Sequence, residues 1–212
     1  MTKANLKQKG NLARFVKLKS VNEILDKVIS GYEVTVSEGV QLFNAEGEAA
    51  DRVFKIADFL RAEVNGDKVS FVVNRNINFT NICYMGCRFC GFAKRMEDEG
   101  AEWLRIEELV NRSKEAWKRG ATEVCIQGGL HPKLPGSYYR DLVSAIKSEI
   151  PNIHVHAFSP FEIWYGASKT NLSYEEFLLD LKEVGLGSIP GTAAEILDTT
   201  IRRQLTNNKL SA

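Results

Sequence analysis

The sequence has little net charge, few cysteines and no long apolar run. Its 28 Lys and Arg residues balance 27 Asp and Glu residues, which gives a formal net charge of +1. A nearly neutral chain lacks the electrostatic footprint of a protein that binds nucleic acid or an anionic membrane. No stretch approaches the roughly 18 consecutive apolar residues of a membrane span, and no signal peptide precedes the chain. We therefore expect a cytoplasmic protein with no nucleic-acid partner and no membrane association.

Hydrophobic periodicity divides the chain into an N-terminal helical cap, residues 20–63, and a core, residues 64–212. In the cap, apolar residues recur at offsets of three, four and seven in two segments, as on the buried face of a helix. Between these segments, Thr35 and Glu38 have the spacing of a capping box. Residues 1–19 are basic and contain no acidic residue, which predicts a solvated tail.

In the core, segments rich in β-branched and aromatic residues alternate with amphipathic segments. The first kind predicts strands at 69–79, 121–127, 153–158 and 186–190. The second kind predicts helices at about 101–118, 137–149 and 173–184, and a further helix that starts near Thr192. Alternation at this spacing predicts parallel strands joined by right-handed crossovers.

The predicted fold class is α/β, with about four βα units of a barrel or a doubly wound sheet after the helical cap. A complete eight-unit barrel takes about 250 residues, so the chain predicts a partial barrel that is incomplete at its C-terminal end. Four parallel strands with an uncovered last edge would also be prone to aggregate.

Three of the four cysteines, Cys83, Cys87 and Cys90, fall within eight positions. The C-x3-C-x2-C spacing follows the first predicted strand, and in parallel α/β folds the loops after the strands carry the chemistry. In a reducing compartment, clustered cysteines indicate metal binding rather than disulfides. The three cysteines therefore mark a candidate metal centre.

The number of cysteines favours an iron–sulfur cluster with an open coordination position. A closed structural zinc site takes four ligands, and a ferredoxin-type cluster also takes four cysteines. The remaining cysteine, Cys125, lies inside a predicted strand, where we interpret it as a buried inert thiol. Three thiolates on a cubane 4Fe–4S cluster leave one iron without a protein ligand, and such an open position can bind a substrate or cofactor.

The motif, with the aromatic Phe89 directly before its third cysteine, resembles the signature of the radical S-adenosylmethionine (SAM) enzymes. The resemblance implies a 4Fe–4S cluster held by Cys83, Cys87 and Cys90, with the amino and carboxylate groups of SAM on the open iron. It also implies that one electron from the reduced cluster cleaves SAM to methionine and a 5′-deoxyadenosyl radical, and that an external donor supplies electrons. The implied fold is a radical SAM barrel, here partial.

Four longer segments are together similar to one family of these enzymes, and they lie at 73–93, 125–139, 154–163 and 186–197. The family is the 5-amino-6-(D-ribitylamino)uracil–L-tyrosine 4-hydroxyphenyl transferases, a subunit of FO synthase in coenzyme F-420 biosynthesis. The resemblance implies L-tyrosine and 5-amino-6-(D-ribitylamino)uracil as substrates, and the other FO synthase subunit as functional partner. The radical SAM enzymes of the futalosine route to menaquinone share the cysteine motif and remain an alternative.

The resemblance also implies cofactor contacts at the ends of the predicted strands. Gln127, Gly128 and Gly129 end the second strand, where a Gly-rich edge lets backbone approach the SAM amino group, although Gly-Gly after a strand is also an ordinary turn. Thr192 and Glu195 are further candidate cofactor contacts, together with Phe89. A Thr and a Glu at the start of a helix also serve as its cap.

The candidate substrate-binding residues are the chain's three histidines and two residues beyond the third strand. His154 and His156 alternate along that strand and therefore share one face. They either contact tyrosine or the uracil near Ser159 and Glu162, or are hydrogen-bonded core histidines. His131 is the third histidine of this set.

Two other classes of protein remain open. His154 and His156 with His131 have the composition of a three-histidine zinc site in a metallohydrolase, which leaves the cysteine motif unexplained. The second class is a truncated, non-catalytic cluster-binding fragment, since the resembled family continues well past the last residue of this chain. We accordingly expect the 212 residues alone to have little transferase activity even with a reconstituted cluster.

Overall fold

A computed structural model describes residues 20–191, 196–206 and 209–212. The predicted basic tail, residues 1–19, lies outside the described residues, as do Thr192 and Glu195. The chain divides into two compact units, Met1–Ser70 and Phe71–Ala212. In the described part of the chain, no helix combines the length and the apolar character that crossing a membrane requires.

The described part of the first unit consists of α1 (Val21–Ile29), α2 (Val36–Phe43) and α3 (Gly47–Asn65). A capping box formed by Thr35 and Glu38 starts α2, as their spacing predicts. Glu38 is buried, and its carboxylate also accepts a hydrogen bond from Lys27 Nζ at 2.8 Å. One side chain therefore both caps α2 and holds it against α1.

The second unit is built on a parallel sheet with the strand order β1-β2-β3. Its strands are β1 (Asn74–Asn78), β2 (Glu123–Gln127) and β3 (His154–Ala157). Its helices are α4 (Ile106–Lys118), α5 (Tyr138–Glu149), α6 (Pro160–Thr170), α7 (Tyr174–Glu183) and α8 (Thr199–Leu205). A parallel sheet whose strands alternate with helices confirms the predicted α/β class.

The two faces of the sheet differ in chemistry. One face is apolar and fully buried in the core cluster, with Ile77, Val124, Ile126, Val155 and Ala157. The opposite face, here called the polar face, carries two matched rows of side chains, Asn74–Glu123–His154 and Asn76–Cys125–His156. Because successive side chains alternate between faces, this register confirms that both strand histidines share one face.

An aromatic cluster fills the core between the sheet and its helices. The ring of Tyr139 on α5 lies 4.8 Å from that of Phe158 and 6.2 Å from that of Phe177 on α7, measured between centroids. Phe79, directly after β1, is 6.1 Å from the same ring. These edge-to-face contacts hold the carboxyl ends of the strands, where the cysteine loop begins, against the helical layer.

Three elements differ from the sequence-based predictions. The final helix, α8, begins at Thr199, seven residues after the predicted start near Thr192. The predicted strand at 186–190 pairs with β3 only around Ser188, where the N–H of Gly187 donates to the carbonyl of Val155 and that of Ala157 donates to the carbonyl of Ser188, each at 2.9 Å. Pro190, which has no N–H to donate, follows two residues later. Helix α6 was not predicted, although it begins with a capping box of Ser159 and Glu162 and has a proline at its first turn.

Candidate active site

The three clustered cysteines share one cavity with most of the predicted cofactor contacts. The cavity has a volume of about 220 Å³ and lies where the cysteine loop, the end of β2 and the start of α6 meet. Among its lining residues are Cys83, Cys87, Phe89, Cys90, Gln127, Gly128, Gly129, Ser159 and Glu162. Three segments that are distant in sequence therefore form one site.

The first part of the cysteine loop is held on both sides by backbone hydrogen bonds. The N–H of Cys83 donates to the carbonyl of Lys94 at 3.0 Å, and the N–H of Tyr84 donates to that of Leu130 at 3.2 Å. The guanidinium of Arg95 donates to the carbonyl of Cys83 at 2.9 Å. The backbone at Cys83 and Tyr84 is thus held by Lys94 and Arg95 on one side and by Leu130, which follows β2, on the other.

The second part of the loop is held by the end of α8. The Sγ of Cys87 donates to Thr206 Oγ1 at 3.3 Å, and the N–H of Arg88 donates to the carbonyl of Leu205 at 3.0 Å. The sequence analysis missed Thr206 because it lies 119 residues from Cys87 and belongs to no motif.

The two glycines after β2 are required by a close approach of backbone to the cysteine loop. A Cβ atom at Gly129 would collide with the carbonyl oxygen of Ile82 and would lie 2.9 Å from the Cβ of Cys83. A Cβ atom at Gly128 would lie 2.6 Å from the ring of Phe79. The Gly-Gly pair is therefore more than an ordinary turn, because its backbone packs directly against the loop that carries the cysteines.

Glu162 joins the end of β2 to the start of α6. Its Oε1 accepts a hydrogen bond from the N–H of Gly128 at 3.0 Å, and its Oε2 accepts one from the N–H of Ser159 at 2.7 Å. Burial raises the pKa of Glu162 to about 7, against the opposing effect of the hydrogen bonds from Ser159 and Gly128. Both carboxylate oxygens are engaged by backbone, so this side chain positions the cavity wall.

Lys209 contributes a positive charge to the cavity lining. Its Nζ lies 5.5 Å from the ring centroid of Phe89 and 5.9 Å from that of Phe161. An ammonium group over two aromatic faces at the edge of an otherwise apolar cavity suits the carboxylate of a ligand. The sequence analysis missed Lys209, since nothing in its neighbourhood distinguishes it from the chain's other lysines.

His131 lies outside this cavity lining. It is buried, its ring centroid is 4.6 Å from that of Trp103, and its Nδ1 accepts a hydrogen bond from the N–H of Lys133 at 3.1 Å. Burial lowers the pKa of His131, and the nearby Lys133 charge acts in the same direction.

The two strand histidines, His154 and His156, lie nearer than the cavity to the amino-terminal ends of the strands. His156 pairs with Cys125 and His154 pairs with Glu123, two and four residues before Gln127. At the usual rise of a strand, the His154 row is about 13 Å from the row of Gln127. Their role in substrate binding stays a prediction.

The three histidines do not come together as a zinc site. Within the described residues, the metal-ligating side chains whose donor atoms all lie within 4.8 Å of one another are Glu123, His154 and His156. His131 is not among them, so the three-histidine zinc site does not form.

The sequence matches the radical SAM superfamily over residues 77–209, more than half of the chain. The chain therefore belongs to the radical SAM superfamily, whose members use a 4Fe–4S cluster and SAM.

Three curated relatives are more specific. The chain is 52% identical over 180 residues to the FO synthase of Streptomyces coelicolor, covering 85% of this chain and 21% of that protein. It is 55% identical over 176 residues to the FO synthase of Mycobacterium tuberculosis strain H37Rv, covering 83% and 21%. It is 49% identical over 181 residues to the 5-amino-6-(D-ribitylamino)uracil–L-tyrosine 4-hydroxyphenyl transferase of Methanocaldococcus jannaschii, covering 84% and 50%. The chain thus spans about half of the last relative and about a fifth of the FO synthases.

Two solved structures share the fold. The FeFe-hydrogenase maturase HydG from Carboxydothermus hydrogenoformans has a TM-score of 0.60 at 19% identity, covering 88% of this chain and 41% of that one. Methylornithine synthase (PylB) has a TM-score of 0.60 at 22% identity, covering 88% and 52%. At these identities the likeness concerns the fold alone, and it agrees with the predicted partial barrel.

Proposed function

We propose that this chain carries the cluster-binding part of a transferase that joins the 4-hydroxybenzyl group of L-tyrosine to 5-amino-6-(D-ribitylamino)uracil. The observation that carries the proposal is the cavity that unites the cysteine loop with the Gly128–Gly129 edge. A relative of that name, 49% identical, supports the choice of substrates. Because the chain spans about half of that relative, the substrates and the product are part of the proposal.

In this proposal Cys83, Cys87 and Cys90 hold the cluster as thiolates. When bound, the cluster and SAM supply a 5′-deoxyadenosyl radical. The Gly128–Gly129 edge offers backbone to the cofactor at a place where no side chain fits, and Lys209 offers a positive charge to a carboxylate. Aromatic side chains, with Phe89 and Phe161 among them, form part of the wall around the reacting groups.

The candidate substrate contacts keep their assignment as part of the proposal. Ser159 and Glu162 line the cavity, and we propose that they shape the substrate-facing wall through the N-terminus of α6. His131, His154 and His156 lie away from the lining, so any contact with tyrosine or the uracil involves the part of each substrate farthest from the cysteines. Thr192 and Glu195 remain proposed cofactor contacts.

The proposed reaction also needs partners. An external donor must supply the electron, and we propose the other FO synthase subunit as the functional partner, as the family resemblance implies. The four cysteines are free thiols, and this state together with a reducible cluster favours the cytoplasm.

The test is anaerobic reconstitution with iron and sulfide, followed by dithionite and SAM with and without the two substrates. We expect 5′-deoxyadenosine only from the reconstituted protein, and the hydroxybenzyl adduct only when tyrosine and the ribitylaminouracil are both present. Because we expect slow turnover from the chain alone, the proposal is tested by the identity of the product and not by the rate at which it forms. SAM cleavage with both substrates present but without any adduct would contradict the proposed substrates.

A further inference from the structure

A second group of metal-ligating side chains lies on the polar face of the sheet. The donor atoms of Glu123, His154 and His156 all lie within 4.8 Å of one another. We propose that these three residues bind a divalent first-row transition metal, such as zinc, at a site separate from the cysteines.

The sheet register itself brings these donors together. Glu123 and His154 are direct partners across β2 and β3, on strands that lie about 4.8 Å apart. His156 follows two residues later and therefore projects on the same face. Regular strands rather than loops position all three ligands, so little ordering is needed when a metal binds.

The distance between Glu123 and His154 fits a shared ion better than a hydrogen bond. Glu123 Oε2 lies 3.8 Å from His154 Nε2, beyond the usual hydrogen-bond range of about 2.7–3.2 Å. Two ligands bonded to one zinc ion at about 2.0–2.1 Å lie about 3.3 Å apart at tetrahedral angles. The other oxygen, Oε1, accepts a hydrogen bond from Asn74 Nδ2 at 3.3 Å, which orients the carboxylate as outer partners of metal ligands do.

The two imidazole rings converge on one point. His154 Nε2 lies 2.7 Å and His156 Nδ1 lies 2.6 Å from the same hydroxyl oxygen, Ser188 Oγ. A hydroxyl has one proton, so it donates to only one of these nitrogens, and the other ring must donate to it. A metal ion would bind both nitrogens in their unprotonated form. Gly187 packs so closely on the His154 ring that a Cβ there would collide with it, which fixes the ring's orientation.

The site is accessible and has suitable chemistry. The side chain of His154 is 44% exposed and that of Glu123 is 16% exposed, so an ion has a path of entry. Two neutral imidazoles and one carboxylate form the ligand set of several zinc enzymes and leave a coordination position for water. None of the three ligands lines the cysteine cavity, so zinc binding can be measured whether or not the proposed transferase function holds.

The experiment uses the protein with its reconstituted cluster, so that the clustered cysteines are occupied. Zinc sulfate is added anaerobically, unbound metal is removed by gel filtration, and bound zinc is measured by elemental analysis and X-ray absorption at the zinc edge. We expect about one zinc per chain, with a first shell of nitrogen and oxygen at about 2.0–2.1 Å rather than sulfur at about 2.3 Å.

Variants then identify the ligands. We expect His154→Ala, His156→Ala and Glu123→Gln each to weaken zinc binding by about tenfold or more, since even outer-shell changes cost 10–100-fold. Cys125→Ser is the matched control, because Cys125 lies on the polar face of the sheet but is not one of the three proposed ligands. We expect Cys125→Ser and Ser188→Ala to retain zinc. A sulfur shell, the absence of retained zinc, or unchanged affinity in both histidine variants would overturn the proposal. Where a variant fails to fold, the zinc-edge X-ray absorption spectrum of the unsubstituted protein still tests the proposal.

Discussion

At the scale of single residues, Gly129 sets the distance between β2 and the cysteine loop. Replacing it with Ala places a methyl group against the carbonyl of Ile82, and neither backbone segment can yield without moving Cys83. We expect Gly129→Ala to lose stability by about 1–3 kcal/mol or more and to retain less iron after reconstitution. Iron and sulfide content per chain and the thermal midpoint are the measurements.

The matched control is Gly91→Ala, one residue after Cys90. A Cβ atom at Gly91 meets nothing within 4 Å, so this variant should reconstitute like the unsubstituted protein. Equal iron loss in both variants would contradict this prediction, because it would show that the close approach of Gly129 to Ile82 is not the cause of the iron loss.

Glu162 is a second residue whose environment makes a measurable prediction. Its pKa in the folded protein is about 7, against an ordinary value of 4.5. As the pH rises from about 4.5 to about 7, the unfolded chain loses this proton before the folded protein does. The free energy of unfolding therefore falls over that window, by about 3 kcal/mol at most. Glu162→Gln should lack this component, which denaturant unfolding at several pH values can detect.

Glu176→Gln provides the control because Glu176 forms the same capping box with Ser173 at the start of α7, where both side chains are exposed. Hydrogen bonds from Ser173 lower the pKa of Glu176. Glu176 therefore contributes to the free energy of unfolding above its ordinary pKa, and this contribution is lost as the pH falls. The contribution of Glu162 has the opposite dependence, because it is lost as the pH rises. If Glu162→Gln and the unsubstituted protein lose stability in parallel between pH 4.5 and 7, Glu162 is not the group responsible.

At the scale of elements, two tyrosines of the helical layer differ in how their hydroxyls are satisfied. Within the described residues, the Tyr139 hydroxyl of α5 is the buried side-chain atom without a hydrogen-bond partner. The Tyr165 hydroxyl of α6 has the carbonyls of His131 and Leu134 at 2.9 and 3.1 Å as alternative acceptors for its one proton, which ties α6 to the loop after β2.

We expect Tyr139→Phe to leave stability unchanged or to raise it by about 1 kcal/mol, because it removes a buried hydroxyl that lacks a protein partner and keeps the ring. Tyr165→Phe should cost about 1–2 kcal/mol, because it removes the hydrogen bond to the buried Leu134 carbonyl. The His131 carbonyl still accepts from the N–H of Leu134. Chemical denaturation of both variants tests the comparison, and a larger loss for Tyr139→Phe would contradict it.

The elements show what a sequence can and cannot predict. The strands of the sheet and the capping box at Thr35 follow from local patterns, and the structure contains them. The segment 186–190 has the composition of a strand, but pairing depends on a neighbour's register and on Pro190, and it forms only a bridge. Ser159 and Glu162 carried the signal of a helix start, yet the sequence analysis assigned them only to ligand binding. The contacts of this pair are those of the cap and of the Gly128 backbone, and the role of the pair in substrate binding stays a prediction.

At the scale of the whole molecule, the four cysteines should divide into two functional groups. We expect Cys83→Ser, Cys87→Ser and Cys90→Ser each to lose the cluster. Cys125→Ser should retain it, because Cys125 lies on the polar face in register with His156. Iron and sulfide analysis after anaerobic reconstitution should give about four of each per chain for the unsubstituted protein and for Cys125→Ser. Full iron content in Cys87→Ser would contradict the proposed ligand set.

The site was predictable where its chemistry is local in sequence. The cysteine spacing and the Gly-Gly pair were visible because neighbouring positions carry them. Thr206, Lys209 and Glu123 were not, because each reaches its partners only through the folded topology. A hydrogen bond across 119 residues, such as that of Cys87 to Thr206, leaves no trace in local spacing.

That long-range bond has a consequence for how the protein is made. A ribosome adds about 5–20 residues per second, so the 119 residues from Cys87 to Thr206 take about 6–24 s to synthesise. During that interval the cysteine loop has been synthesised, but Thr206, whose hydroxyl bonds to Cys87, has not. A fully braced loop therefore exists only after translation has passed α8, and until then the cysteines of the growing chain lack this support.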